Sequence, residues 1–286
     1  MRSWLLIPAG NPARLAKATD LPADVMVIDF HSSGEVTGRD ERELAAGWLE
    51  NQRAAGAPFK RWVRIRPVNA PQWREDLAAV MSAEPDGVIM TGVENPDDVR
   101  RLGSEIYELE QRHGMALNSV PLVLELGATA RGSLATERLA LDPHPRVAGV
   151  TWDPAMLARD IGSAATPGKI GWPTPLAHVR AQVVLVAKAL GVFALEAPCP
   201  VWRDLEAFER ACALARRDGF DAMAATHPAQ LAEINRRFTP TEAERALAAQ
   251  VVALYDAAPS ANMLSLEGRI IDRAQLARAK RMLARA

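Results

Sequence analysis

The chain has 286 residues, 49% of them apolar, and its 34 Lys and Arg nearly balance its 35 Asp and Glu, so the formal net charge is −1. A chain of this size and apolar fraction can bury a large core, and one barrel-sized domain is a better expectation than two smaller ones. The balanced charge argues against nucleic acid or an anionic membrane surface as a partner.

The cysteines and the apolar runs indicate in which cellular compartment the protein is expected. Cys199 and Cys212 are the two cysteines of the chain, too few for a disulfide framework, and neither has the spacing of a metal site. The N-terminal apolar run at residues 4–7 is too short for a signal peptide, and no segment approaches the ~20 apolar residues of a membrane span. We therefore expect a cytoplasmic protein with reduced thiols.

Runs of strand length alternate with stretches that have the apolar spacing of helices. The predicted strands are residues 3–8, 25–30, 61–66, 87–90, 121–126, 147–151, 192–196 and 222–226. The predicted helices are residues 12–19, 41–54, 73–83, 96–112, 155–161, 175–190, 204–218 and 228–236. This alternation predicts an α/β fold, a (β/α)8 TIM barrel over residues 1–240, with a doubly wound sheet as the alternative.

Two further segments lie outside this alternation. Residues 163–175 are rich in Pro and Gly and predict a long loop over the barrel rim. Residues 241–286 contain two more amphipathic helices, at 241–257 and 273–285, joined by a connection that includes residues 264–272. We interpret this C-terminal part as a helical lid or oligomerisation segment appended to a complete barrel.

Polar residues mark the ends of the second strand, in the stretch 25–36, and of the third strand. Asp29 and His31 are two residues apart and would stand on the same side of the barrel rim, where sites of α/β barrels are assembled. Arg64 and Arg66 have the same spacing, so both guanidinium groups would project from one strand face and offer a carboxylate or a phosphate two forks. The alternative for the first pair is that Asp29 caps a turn and His31 is solvated.

The later strands carry acids near their ends. Glu125, Asp153 and Glu196 belong to the fifth, sixth and seventh strands, and together with the arginines they could hold a divalent metal or polarise a carbonyl. A rim of ordinary surface charges is the alternative. His227 would either cap the helix after strand eight or line the pocket. GxSxG, P-loop and GxGxxG motifs are absent.

Several stretches together carry a family resemblance: RSWLLIPAGNPARLAKA, VMVIDF, VRIRPVNAPQWREDLAAV, TARGSLA, LARDIG, THPAQLAEINRRFTPTEAE and EGRIIDRAQLARAKRML. They resemble the citrate lyase beta subunit and malyl-CoA lyase group of the HpcH/HpaI aldolase superfamily. The resemblance implies a carbon-carbon lyase that acts on a small hydroxyacyl thioester, such as a CoA thioester, with Mg2+ as cofactor. It also implies a homotrimer or hexamer in which the C-terminal segment covers a neighbouring subunit's site.

The same resemblance implies roles for single residues. Arg64 would hold the substrate, Asp29 would lie beneath the metal site, and Asp272 would be an acid or base delivered from the lid. The residues expected to bind substrate are Arg64, Glu196, Pro8, Lys17 and His227.

The chain departs from the family at the expected metal ligands. The Glu of the family's ETARG motif falls on Ala128, and the Asp of its EDLAADLG motif falls on Met156. Loss of both carboxylates removes oxygen ligands that a hard cation requires, which argues against a family-type Mg2+ site. Glu125 and Asp153 lie three residues upstream of those positions and are the candidate replacement ligands.

Three hypotheses remain open from the sequence. A rebuilt carbon-carbon lyase would use Asp272 or His31 as the base, Arg66 as the electrophile and Arg64 as the clamp. A metal-independent enzyme of another class, such as a thioesterase or a rearrangement enzyme, could use the same barrel, because a fold does not fix its chemistry. The third is a non-catalytic ligand-binding paralogue.

Overall fold

The computed structural model of the chain describes residues 1–32, 37–167 and 171–284. The chain divides into two compact units, Met1–Asn235 and Arg236–Ala286. In the described ranges no helix combines the length and the apolar character that crossing a membrane requires.

The first unit is a closed barrel of eight parallel strands that neighbour each other in chain order, with β1 also pairing with β8. The predicted (β/α)8 barrel is therefore confirmed. Its strands are β1 (Ser3–Pro8), β2 (Val25–Asp29), β3 (Lys60–Ile65), β4 (Gly87–Val93), β5 (Leu122–Leu126), β6 (Val147–Trp152), β7 (Phe193–Glu196) and β8 (Ala222–Ala225).

Helices follow the strands and surround the barrel. They are α1 (Pro12–Ala18), α2 (Gly38–Ala54), α3 (Trp73–Met81), α4 (Pro96–Arg112), α5 (Ala130–Leu141), α6 (Pro154–Ile161), α7 (Thr174–Leu190), α8 (Leu205–Asp218) and α9 (Leu231–Phe238), with a 3-10 turn at Pro228–Gln230 before α9. The sequence prediction missed α5, because its Leu134 and Leu141 are 88% and 76% exposed and obscure the apolar face. The predicted rim loop joins α6 to α7, and its residues 168–170 lie outside the described part.

Aromatic rings fill the lower interior of the barrel. Trp4 packs edge-on against Trp62, with ring centroids 4.9 Å apart, and Phe193 lies 5.4 Å from Trp4. Two strand glycines make room for these rings: a Cβ at Gly87 would lie 2.4 Å from the Trp62 ring, and one at Gly149 would lie 2.5 Å from Phe193. The packed rings close the barrel below the rim, so a ligand can enter the barrel at the carboxyl ends of the strands.

The second unit has its own small core. Helices α10 (Glu242–Ala257) and α11 (Arg273–Leu283) pack with a hairpin of β9 (Met263–Leu266) and β10 (Arg269–Asp272). The Tyr255 hydroxyl donates a hydrogen bond of 2.8 Å to the Ile271 carbonyl and ties α10 to the hairpin. Both predicted helices are present, but the connection between them is an antiparallel hairpin that the sequence prediction missed.

Candidate active site

Three charged residues form an inward-facing layer at the carboxyl ends of the strands. Side chains alternate along a strand, and the interior core takes Val27 from β2, Trp62 from β3 and Val123 from β5. Asp29, Arg64 and Glu125 lie two residues further along the same strands, so they also point into the barrel. Asp29 and Arg64 are register partners on neighbouring strands.

The guanidinium of Arg64 lies among three carboxylates. Its Nη1 donates to Asp29 Oδ2 at 3.1 Å, and its Nε and Nη2 donate to Glu125 Oε2 at 3.1 and 2.6 Å. Its Nη2 also donates to Asp153 Oδ2 at 3.0 Å. We call these four residues the Arg64 cluster. The structure thus brings together four residues from different strand ends, and their role as a site stays a prediction.

Local structure fixes two of the acids. Asp29 Oδ1 accepts a hydrogen bond of 2.9 Å from the His31 backbone N–H, and its Oδ2 accepts one from the Ser32 hydroxyl. Asp153 is the N-cap of α6, where its Oδ1 accepts the N–H groups of Ala155 and Met156 at 2.9 and 3.0 Å. Both acids therefore reach Arg64 through Oδ2 while other groups hold the side chain in place.

The third acid, Glu125, has one carboxylate oxygen without a hydrogen bond from the described residues. Glu125 is 2% exposed, and its Oε1 is buried without a hydrogen-bond partner in the described structure. Burial raises the pKa of Glu125 to about 7, although the charge of Arg64 opposes this rise. The cluster has three carboxylates and one guanidinium, so its formal charge is −2 with Glu125 ionised and −1 with Glu125 protonated.

His31 is the titratable side chain beside this cluster at the rim. Its imidazole is half-buried, and burial together with the positive charge of Arg64 lowers its pKa below the ordinary value. At pH 7 the ring is therefore neutral and able to accept a proton. Residues 33–36, the end of the stretch that the sequence analysis singled out, lie outside the described residues.

The residues around Arg64 do not fit the Mg2+ that the family implies. Across residues 1–32, 37–167 and 171–284 no group of three or more His, Cys, Asp or Glu side chains is arranged to hold a metal ion. A cation between Glu125 Oε2 and Asp153 Oδ2 would take the position of Arg64 Nη2, which contacts both oxygens. Asp153 Oδ1 already accepts the N-cap hydrogen bond from the Ala155 N–H. Glu125 Oε1 would then be the one free oxygen of these two acids, and a single oxygen does not make a magnesium site.

Arg66 does not share the interior with Arg64, so its predicted placement beside that residue is wrong. β3 ends at Ile65, and beyond the strand the alternation of side chains no longer applies. The Arg66 guanidinium instead donates to Glu41 on α2 and Asp76 on α3, at 2.6 Å each. Both acids are buried, so Arg66 ties two helices together and offers no free fork to a substrate.

Glu196 also faces the helices, contrary to its predicted place on the pocket side. Leu195 belongs to the barrel interior, so its neighbour Glu196 points outward. It accepts a hydrogen bond of 2.6 Å from the Trp152 indole and pairs with Arg180 of α7 at 2.6 Å. Burial raises the pKa of Glu196, against the effect of these donors.

Three other predicted residues occupy different positions in the first unit. Pro8 is the last residue of β1, in register with Asp29 at the rim, whereas Lys17 is exposed in the last turn of α1. His227 caps the turn after β8, accepting the Ala229 N–H through Nδ1, and its ring stacks on Trp202 with centroids 4.1 Å apart. The capping alternative for His227 is thereby confirmed.

Asp272, in the second unit, is the N-cap of α11 and is exposed. Its Oδ1 accepts the Gln275 N–H at 2.8 Å, and the Gln275 side chain accepts the Asp272 N–H in return. Its role as a lid acid stays a prediction.

The sequence analysis missed two residues that shape the rim. Ser32 supports Asp29, as described above. Buried Gln230 accepts the N–H groups of Thr226 and His227 and donates to the carbonyls of Cys199 and Val201, which joins the segments after β7 and β8. A polar side chain just after a strand is the only signal in the sequence, and it does not identify the partners.

Comparison with known proteins gives consistent matches along the chain. The sequence pattern of the HpcH/HpaI aldolase/citrate lyase family matches residues 2–228. A citrate lyase subunit beta-like protein of Deinococcus radiodurans is 29% identical, over 99% of this chain and 96% of the relative. A (3S)-malyl-CoA thioesterase of Cereibacter sphaeroides is 28% identical, over 100% of this chain and 94% of the relative.

A solved structure has the same fold. The CitE protein of Mycobacterium tuberculosis, in complex with magnesium, acetoacetate and coenzyme A, superposes with a TM-score of 0.70 at 24% identity, over 100% of this chain and 97% of CitE. With the family pattern matching most of the chain, this chain belongs to the HpcH/HpaI aldolase/citrate lyase family.

Proposed function

We propose that the chain is a carbon-carbon lyase that cleaves or forms a small hydroxyacyl thioester, with the Arg64 cluster and His31 as its active site. The observation that carries the proposal is the position of His31 at the barrel rim, where its half-buried imidazole is close enough to Arg64 and Asp29 for their charges to act on it. A base is the first requirement of cleavage, because the β-hydroxyl must lose its proton before the carbon-carbon bond breaks. Membership of the family supports a thioester, for which the CoA complex of CitE is a precedent.

In the cleavage direction, His31 would accept the β-hydroxyl proton. The bond between the α and β carbons breaks, the β carbon becomes a carbonyl, and the electron pair passes to the thioester as an enolate. The imidazolium then returns the proton to the α carbon. Arg64 has five N–H donors and uses four in its contacts with the carboxylates, so one Nη1 N–H is left for the enolate oxygen.

The charge of the cluster sets the working range of this mechanism. A net negative cluster repels an enolate, and protonation of Glu125 reduces that repulsion. The raised pKa of Glu125, about 7, therefore favours turnover at or below neutral pH, whereas the lowered pKa of His31 keeps the base active there. These opposite shifts predict a bell-shaped pH profile whose maximum lies between the lowered pKa of His31 and the raised pKa of Glu125.

Thioester hydrolysis is the second candidate, and a specific observation favours it. The relatives from Cereibacter sphaeroides are named (3S)-malyl-CoA thioesterases and align with the whole of this chain. His31 would then accept a proton from water, and the hydroxide would attack the thioester carbonyl to release the acid and a thiol. This route uses the same base.

Product analysis separates the two candidates. The full chain would be incubated with (3S)-malyl-CoA and with 3-hydroxybutyryl-CoA, and the carbonyl product and the free CoA thiol would be measured in parallel. We expect a carbonyl product without free thiol, whereas free thiol without a carbonyl product would select hydrolysis. Absence of both products, together with no binding of either thioester by calorimetry, would contradict both candidates.

A matched pair of variants tests the base. His31→Asn should lower turnover by about two orders of magnitude or more, the usual contribution of a general base. His113→Asn, in an exposed histidine at the end of α4, should leave turnover unchanged. Equal activity of the two variants would remove His31 from the mechanism.

A further inference from the structure

The outward face of α5 carries the two most exposed large apolar side chains in the described part of the chain, Leu134 and Leu141. They are seven residues apart and therefore lie on one face of the helix, two turns from each other. The opposite face, with Ala135 and Leu139, is buried. Scattered surface leucines are ordinary, but two on the free face of one helix are typical of a contact surface.

Two opposite charges lie between these leucines. Glu137 and Arg138 are three and four residues after Leu134, on the same side of the helix, and both are exposed. Neither side chain has a hydrogen-bond or ion-pair partner among the residues that the structure describes. The exposed stripe of α5 therefore presents a leucine, a carboxylate, a guanidinium and a second leucine in this order.

This order is self-complementary. When a second copy of the helix lies antiparallel about a two-fold axis between positions 137 and 138, Leu134 faces the partner's Leu141 and Glu137 faces the partner's Arg138. The same two contacts occur again on the other side of the axis. We propose that α5 forms a two-fold contact between two copies of this chain.

The charges select a second copy, in this orientation, as the occupant of the stripe. A parallel arrangement in register would set Glu137 against the partner's Glu137, and like charges in a contact are unfavourable. A two-fold contact uses one surface twice, so a stripe whose second half complements its first half meets the requirement without any other partner. One rotation satisfies both the leucines and the charges.

The size of α5 indicates that a neighbouring helix takes part in the contact. α5 has 12 residues and is therefore about 18 Å long, whereas a specific interface buries about 800 Å2 on each partner. α7 packs against α5 and carries another exposed leucine, Leu185. We therefore place the contact on α5 and α7. Because the axis is two-fold, the assembly has an even number of copies, which selects the hexamer over the trimer.

Charge reversal tests the contact in the full-length chain, with the mass measured by sedimentation. Glu137→Arg sets arginines against arginines across the axis, and Arg138→Glu sets glutamates against glutamates. Each variant should have half the wild-type mass, or assemble only at a concentration about tenfold higher or more. An equimolar mixture of the two variants should regain the wild-type mass, because every arginine of one then faces a glutamate of the other.

A pair of leucine variants tests the apolar part. Leu141→Glu should also halve the mass, because the substitution enters the contact twice. Leu214→Glu, at an exposed leucine of α8, should leave the mass unchanged. Both positions are exposed, so the circular dichroism spectra of the two variants should match that of the wild type.

Three outcomes would overturn the proposal. The first is a wild-type chain with an odd number of copies. The second is a mixture of the charge variants that assembles no better than either variant alone. The third is an equal mass of Leu141→Glu and Leu214→Glu. None of these measurements depends on the proposed function, which can fail or hold separately.

Discussion

Replacing Glu125 by Gln should remove a loss of stability that the wild-type barrel suffers as pH rises. The carboxyl of Glu125 titrates at about 7 in the folded chain instead of its ordinary 4.5. Below pH 4.5 it is protonated in both the folded and the unfolded chain and has no effect. Between these values the unfolded chain loses the proton first, so this residue lowers the free energy of unfolding as pH rises, up to about pH 7.

The magnitude follows from the two pKa values. A tenfold change in proton affinity corresponds to about 1.4 kcal/mol, so a rise from 4.5 to about 7 makes the ionised folded state about 3 kcal/mol less stable. Most of this loss in the free energy of unfolding develops between pH 5 and pH 8. Glutamine has the shape of the protonated side chain and cannot ionise, so the variant should lack this loss.

The assay is urea unfolding, followed by circular dichroism, of the wild type and Glu125→Gln at pH 5 and pH 8. The difference between variant and wild type should shift in favour of the variant by about 2–3 kcal/mol at the higher pH. Comparing the variant with the wild type at the same pH cancels the contributions of the other titrating groups to stability. These include His31, whose lowered pKa makes stability rise with pH.

Glu110→Gln is the control for this titration. Burial alone would raise the pKa of Glu110, but hydrogen bonds from Arg146 and from backbone N–H groups lower it overall. Its stabilising effect is therefore constant between pH 5 and pH 8 and is lost in acid. If Glu125→Gln follows the pattern of Glu110→Gln, Glu125 is ionised throughout by its pairing with Arg64, and the reasoning from burial is wrong.

Other expectations concern packing, the outer arginine and assembly. Gly87→Ala should lower the free energy of unfolding by about 1–3 kcal/mol, because its Cβ would collide with Trp62, whereas Gly47→Ala, in open space on α2, should raise it by about 0.5–1 kcal/mol in the same denaturation assay. Arg66→Ala should lower the melting temperature, because buried Glu41 loses its arginine and buried Asp76 keeps only Arg42, yet retain most turnover; a loss of turnover as large as that of the His31 variant would return Arg66 to the site. Light scattering should report a trimer or hexamer, and a monomer at micromolar concentration would contradict the predicted assembly.

The barrel strands were predictable because short apolar runs recur between stretches with helical spacing. The run VMVID places Asp29 directly after buried residues, and all five residues of β2 are buried as expected. Helix α5 was harder to predict, since its apolar residues lie on both its buried and its exposed sides. The hairpin at 263–272 was missed because its strands have four residues each, too short for alternation to stand out.

The sequence predicted that Asp29, Arg64, Glu125 and Asp153 gather at the rim, as they do, but it misplaced Arg66 and Glu196, because the direction of a side chain depends on where a strand ends. Arg64 and Arg66 are two residues apart, which on a continuous strand would place them on one face. Because β3 ends at Ile65, the Arg64 guanidinium points inward and the Arg66 guanidinium reaches the helices. Glu196 was misplaced for a related reason, because a one-residue change in strand register exchanges the two faces. The sequence does not fix that register.

The two arginine clusters differ in what they can contribute to chemistry. Arg66 lies between acids of two helices, and its loss affects the packing of the outer layer. Arg64 lies between acids that come from three different strand ends, β2, β5 and β6, at the opening of the barrel. Asp29 and Glu125 could not be buried there without the guanidinium, since removing one partner of a buried ion pair costs about 3–5 kcal/mol. The acids and Arg64 therefore depend on each other, because removing either side leaves an uncompensated buried charge on the other.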